Sequence, residues 1–211
     1  MTMNPHELVA SIIVPQITAR IKAKKQRTTI SLAGESGCGK TETAKALVTE
    51  LKRVGINSLV LGQDNYFYLA PKDNDTMRKQ SSEWLGPHKE VNLKLLDRTL
   101  SAAIKGKNTI DVSHIDYDTN IKTIEKINIE EIKVVIVEGT YTSLLKHIDY
   151  KIFIDADYND THKFRKLRNR GNEVNDPFVE NILETEHKII AGHKFLADFI
   201  ITKDYHVISV K

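Results

Sequence analysis

Cysteine is nearly absent: the 211 residues hold one, Cys38, so no intramolecular disulfide can form. Such a chain suits a reducing compartment, and the cytoplasm is the expected one. No apolar run approaches the length of a membrane span, and the N-terminus lacks the charged-then-apolar pattern of a secretory leader. There is no internal repeat, no low-complexity tract and no long Gly, Ser or Pro linker. The eight histidines show no metal-ligand spacing, which argues against a zinc site. Charge of neither sign dominates: the net of +3 tolerates anionic small ligands and is too diffuse to indicate nucleic acid. With 40% hydrophobic and 28% charged residues, the chain is an ordinary globular one, long enough for a single domain with a full core. A homo-oligomer is compatible with it.

What is present is organised around Gly34-Glu35-Ser36-Gly37-Cys38-Gly39-Lys40-Thr41, two glycines four residues apart followed by Lys and Thr. A loop that wraps phosphates must turn main-chain N–H groups inward, and glycine lets the backbone come close enough to do so. Lys40 would reach the outer phosphates and the Thr41 hydroxyl would sit on Mg²⁺, with the positive end of the next helix aimed at the anion. The four fixed positions coincide by chance in roughly one chain of this length in a hundred, given ordinary residue frequencies. Context sharpens the match: 28–33 is β-branched and apolar, and 42–53 carries helical apolar spacing at Ala46, Leu47 and Leu51 before Gly55. Cys38 is read as a small filler of the loop.

Residues 4–25 carry a helical stripe of Leu8, Val9, Ile12, Ile13, Ile17 and Ile21 that Pro15 is expected to interrupt or kink. This N-terminal segment, 1–27, is expected to pack on a single domain spanning 28–211. Its basic end, including Lys24 and Arg27, reads as a solvated helix terminus. Strands are expected at 57–61, 132–137, 151–155, 199–202 and 207–210, with a short one at 109–112. The stretch 132–137 is apolar on both faces, as the middle of a parallel sheet requires. Helices are expected at 92–105, 160–170 and 176–191. Strands alternating with helices predict a three-layer, doubly wound parallel α/β fold. Within it, 64–92 forms a loop-rich insertion on the substrate side, and 160–175 a small lid.

Candidate chemistry falls where strands end. Asp64 follows one strand and Glu138 another, both on the phosphate-loop side, where ligands of open sheets bind. Phosphoryl transfer needs a carboxylate to take the proton of the attacking hydroxyl, and Mg²⁺ to bridge phosphates. Asp64 is read as that base, with Glu138 on metal-bound water or a substrate hydroxyl; Thr41, Glu138 and Asp64 make up the candidate metal group. Arg165, Arg168 and Arg170 on the lid would neutralise charge on the transferred group. Tyr66, Phe67 and Tyr68 either stack on a flat substrate or pack locally. Asp204 and Tyr205 lie in a loop suited to the nucleotide base.

In that order the motifs resemble the uridine kinase and phosphoribulokinase family of P-loop kinases. The matching pieces are Gly34 to Thr41, Gln63-Asp64-Asn65-Tyr66-Phe67, Tyr117-Asp118, Val135-Ile136-Val137-Glu138-Gly139 and the arginines before Gly171. The resemblance implies ATP and Mg²⁺, transfer to a hydroxyl of a small-molecule acceptor such as a nucleoside or sugar, Asp64 as base, Glu138 near the metal and the lid arginines on the phosphates. Tyr66, Phe67, Tyr117 and Glu138 are the candidate substrate residues. Two positions depart from it. Uridine kinases usually carry Pro-Asp-Ala-Phe-Asp, its last aspartate on the ribose hydroxyls, where this chain has Pro87-His88-Lys89-Glu90-Val91; and the family's base-reading histidine is here Lys122.

Overall fold

The computed structural model describes residues 3–168 and 176–210. α1 (Pro5–Ala23) opens on a capping box: the Asn4 side chain accepts from the His6 amide at 3.0 Å, and Glu7 Oε2 accepts from the Asn4 amide at 3.2 Å. Val9, Ile13, Ile17 and Ile21 line its buried face. The helix runs through Pro15 without the expected break. Pro15 is on the exposed face, where the carbonyl deprived of its donor can turn to water.

The chain continues as β1 (Thr28–Gly34), α2 (Lys40–Arg53), β2 (Ser58–Gly62), α3 (Pro71–Gln80), α4 (Leu93–Ile104), β3 (Thr109–Asp116), β4 (Ile121–Asn128), β5 (Val134–Glu138), β6 (Tyr150–Asp155), α5 (Tyr158–Arg168), α6 (Pro177–Ile190), β7 (Phe199–Thr202) and β8 (Val207–Ser209). Six strands make one sheet in the order β2-β5-β1-β6-β7-β8. Neighbours are parallel except at one edge, where β8 runs antiparallel to β7. The predicted three-layer α/β architecture is therefore present, with one antiparallel edge strand added. Alternation along the central strands supplies both cores. Ile30, Leu32, Val134 and Ile136 pack under α1 and α2, while Ala33, Val135, Val137 and Phe153 pack under α4. Each large aliphatic side chain taken out of water contributes about 1.5–3 kcal/mol.

Two segments differ from the sequence reading. The stretch 69–91 is not loop alone: it holds α3 and a 3₁₀ turn, Ser82–Trp84. The polar stretch after 112 is half of a hairpin, β3 paired antiparallel with β4 apart from the main sheet. The expected lid is α5 as far as Arg168, and 169–175 lies outside the described residues.

Arg27 is not a solvated helix terminus. Its Nε donates to Ile132 O at 2.9 Å, Nη1 to Ala103 O at 2.9 Å and Nη2 to Ile129 O at 2.7 Å. One guanidinium thus joins α4 to the loop before β5 and to the start of β1. Arg27→Ala strands these carbonyls and is expected to lower stability by about 2–3 kcal/mol. A chemical-denaturation midpoint equal to that of the parent would refute this role.

Candidate functional site

β1 stops at the centre of the sheet and its chain turns through the phosphate loop into α2. The turn demands left-handed backbone: φ is 84° at Gly37 and 89° at Gly39, the N-cap of α2. A Cβ on Gly39 would also lie 2.7 Å from His6 Cε1, so α1 closes against the loop from outside. His6 holds that place through Thr43 Oγ1 at 2.9 Å and an edge-on contact with the Tyr205 ring, centroids 4.9 Å apart. Cys38 is buried against Gly34, and burial raises its thiol, as befits a filler rather than a reactive group.

At the mouth of the loop, Lys40 Nζ donates to Gly34 O at 3.0 Å and to Glu35 O at 2.8 Å. Thr41 Oγ1 donates to Glu138 Oε1 at 3.3 Å. Glu138 comes from β5, the strand beside β1, and in register it lies opposite Leu32 and Gly62. Burial raises the Glu138 carboxyl; Lys40 opposes that rise, Asp64 adds to it, and the Thr41 hydrogen bond opposes it. Asp64 itself is exposed, in the 3₁₀ turn Gln63–Tyr66 that follows β2. Neighbouring strands thus bring Lys40, Thr41, Glu138 and Asp64 to one place.

The position of Asp64 is set from beneath. Gln63 is buried and its Oε1 accepts from the Tyr141 amide at 2.8 Å. It lies so close to Gly139 that a Cβ there would stand 2.3 Å from Gln63 Cβ. Gly139→Ala must push Gln63, and Asp64 with it, away from the loop. The expected result is a loss of about 1–3 kcal/mol in stability and a drop of at least about tenfold in kcat. Kinetics that match the parent would show that Gln63 does not position its neighbour.

Other predicted residues fall elsewhere. Tyr66 is 1% exposed and its hydroxyl meets Thr99 Oγ1 at 3.3 Å, so it belongs to the core with Leu96 and Leu100 and not to the substrate. Phe67 bridges to Val91 and carries the Arg78 guanidinium 5.7 Å above its ring. Tyr117 is exposed in the turn of the β3–β4 hairpin. Arg165 is not a free clamp. It is 2% exposed, its Nη2 donates to Tyr158 O at 2.9 Å, and Glu180 of α6 lies 3.8 Å away. Arg170 and the side chain of Arg168 lie outside the described residues. Of the two departures from the family pattern, Val91 is buried in the core, and Lys122 Nζ donates to the carbonyls of Phe67 and Tyr68.

Sequence reasoning placed a helix at 176–191 and missed the part that this helix, α6, takes in the site. His187 Nδ1 meets Glu35 Oε1 at 2.6 Å, tying this helix to the phosphate loop, while burial pushes the Glu35 carboxyl up and the His187 contact pulls it down. A cavity of about 470 Å³ lies alongside, lined by Glu35, Asp155, Asp157, His187, Lys203 and Asp204. Tyr205 turns from it toward His6. A buried carboxylate on a helix has no signature in a single sequence; Glu186, one residue earlier, is buried in the field of Arg78 and Glu90.

Strand order and phosphate loop together put the chain in the class of P-loop nucleotide-binding proteins. The model of the phosphoribulokinase / uridine kinase family matches residues 29–187, and the chain belongs to that family. A bifunctional alpha-galactosidase/sucrose kinase of Mediterraneibacter gnavus is 28% identical over 191 residues, 85% of this chain; the chain spans 20% of that protein's length. A uridine kinase of Ureaplasma parvum is 30% identical over 166 residues, 74% of each chain. In fold, a D-glycerate 3-kinase from Cryptococcus neoformans superposes with a TM-score of 0.64 over 99% of this chain and 100% of that one, at 13% identity. Among the described residues no helix is long and apolar enough to cross a membrane.

Proposed function

We propose that the chain transfers the terminal phosphoryl group of ATP to a hydroxyl of a nucleoside, a sugar or a related small metabolite, in the cytoplasm and with Mg²⁺. One observation carries the reading: Lys40, Thr41 and Glu138 meet at the loop mouth, with the Asp64 carboxylate close enough to raise the Glu138 carboxyl. The loop fits a polyphosphate because its glycines leave the main chain bare, and among the described residues Lys40 donates to loop carbonyls that it can exchange for phosphate oxygens. Thr41 and Glu138 fit a hard cation. Among the described residues no three metal-ligating His, Cys, Asp or Glu side chains cluster, but Mg²⁺ needs only one or two carboxylates beside phosphate and water. When bound, the ion would neutralise charge on the phosphates.

The chain's own residues supply the rest. Asp64 takes the proton of the acceptor hydroxyl as that oxygen bonds to phosphorus and the bond to ADP breaks. Lys40 steadies the outer phosphates, and α1 braces the loop through His6. The test is ADP release by purified protein with Mg²⁺-ATP and a panel of nucleosides, sugars, sugar phosphates and sugar acids. Saturable release with one acceptor is expected; ATP binding without acceptor-dependent release would leave a nucleotide-binding regulator instead.

A further inference from the structure

Two buried polar atoms on the acceptor side stand without a partner among the described residues: Oε2 of Glu186 and the hydroxyl of Tyr141. Glu186 is 7% exposed and Tyr141 1%, so bulk water does not satisfy them. Leaving a carboxylate oxygen and a phenol buried and unbonded is costly, and a native fold tolerates it where something else supplies the bond. The two arrive from different elements, Glu186 from α6 and Tyr141 from the turn after β5, and the Glu186 charge acts on the Tyr141 hydroxyl.

The charged groups facing the pair are Arg78, Glu90, Lys40 and Asp64. Arg78 is already committed. Its Nε donates to Glu90 Oε2 at 2.8 Å, and its Nη2 lies 2.7 Å from the same oxygen. Asn74 Nδ2 adds a third donor to that oxygen at 3.2 Å, and the Gly86 amide donates to Glu90 Oε1 at 3.2 Å. Trp84 Nε1 braces the cluster by donating to Asn74 Oδ1 at 2.7 Å. Arg78 and Glu90 thus cancel, and Lys40 is kept for the nucleotide. What remains for an acceptor is of one sign: the Glu186 carboxylate, in the field of Asp64 and acting in turn on the Tyr141 hydroxyl.

We propose that Glu186 and Tyr141 recognise the acceptor, and that they select an uncharged polyhydroxy compound over its phosphorylated or carboxylated counterparts. This rests on the reading of the chain as a kinase with Asp64 as base. A sugar hydroxyl has a proton for Glu186 Oε2 and lone pairs for the Tyr141 O–H. A phosphate or carboxylate has no such proton and sets a like charge beside Asp64 and Glu138. α6 covers the pair: the Lys79 ammonium lies 5.4 Å over the Phe178 ring, and the Ile189 δ-methyl packs over Gly86. An acceptor reaches the pair by parting α6 from α3, and the helix then closes on it.

Steady-state kinetics with Mg²⁺-ATP test this on neutral sugars and nucleosides set against their own phosphate monoesters and acids. The parent is expected to favour the neutral member of each pair. Glu186→Gln is expected to raise the acceptor KM by about tenfold or more, leave the ATP KM within about twofold, and shrink the neutral-over-anionic ratio of kcat/KM by at least about tenfold. Tyr141→Phe, the more conservative change, is expected to raise the acceptor KM by about three- to tenfold, and it decides the matter should the first variant fail to fold. A parent that phosphorylates only anionic acceptors overturns the inference and leaves the kinase standing. An unchanged acceptor KM and ratio in both variants overturns it too, whereas a parent that phosphorylates no acceptor removes the kinase reading on which it rests.

Discussion

Asp64→Asn is expected to reduce acceptor-dependent kcat by on the order of a thousandfold while ATP still binds. The amide keeps the shape and loses the basicity, so a proton leaving the acceptor oxygen has nowhere to go. Asp64 is exposed in a 3₁₀ turn, and among the described residues no hydrogen bond of the core passes through its carboxylate, so the fold should not respond. The substitution also removes a charge that raises the Glu138 carboxyl, which should titrate lower in the variant. Calorimetry would follow ATP binding, and single-turnover product formation would follow the chemistry. A variant that turns over within tenfold of the parent would take the role of base away from Asp64.

The second large effect is one of stability, and it runs the unusual way. Burial pushes Glu186 up to about 7 from its ordinary 4.5, against the pull of Arg78 and Lys40. The folded chain therefore holds this proton more tightly than the unfolded one does. Stability from the group is intact below about pH 4.5, falls as pH climbs toward about 7, and stays low above. Glu186→Gln removes the penalty of ionisation, so at pH 8 it should stabilise the chain by up to about 3 kcal/mol, and at pH 4.5 by almost nothing. Denaturation of both proteins at the two pH values measures it. A gain that does not grow with pH would mean that the carboxyl titrates as if it were in water.

The phosphate loop was legible because its geometry is local: the glycines that take left-handed backbone are spaced by the loop itself. β5 was legible because both its faces are apolar and buried. α3 was not, since in Pro71–Gln80 only Asn74 is fully buried and no apolar stripe marks a helix. That helix is held by long-range polar bonds from Asn74 and Arg78 to Glu90. β4 was equally silent, as nearly every residue along it is exposed and Ile121 and Ile124 face outward. Arg165 shows the opposite failure: its position in a basic run suggested a free clamp, and packing against α6 took it inside. Glu186 and Tyr141 became candidates only once the fold had buried them together.

On α6, Glu186 and His187 are consecutive: Glu186 lies in the field of Arg78 and Glu90, and His187 meets Glu35 of the phosphate loop. A helix held to the phosphate loop at His187 cannot tilt there without carrying Glu186 along. Whatever occupancy of one half of the site does to affinity at the other is then returned by the same factor in the opposite direction.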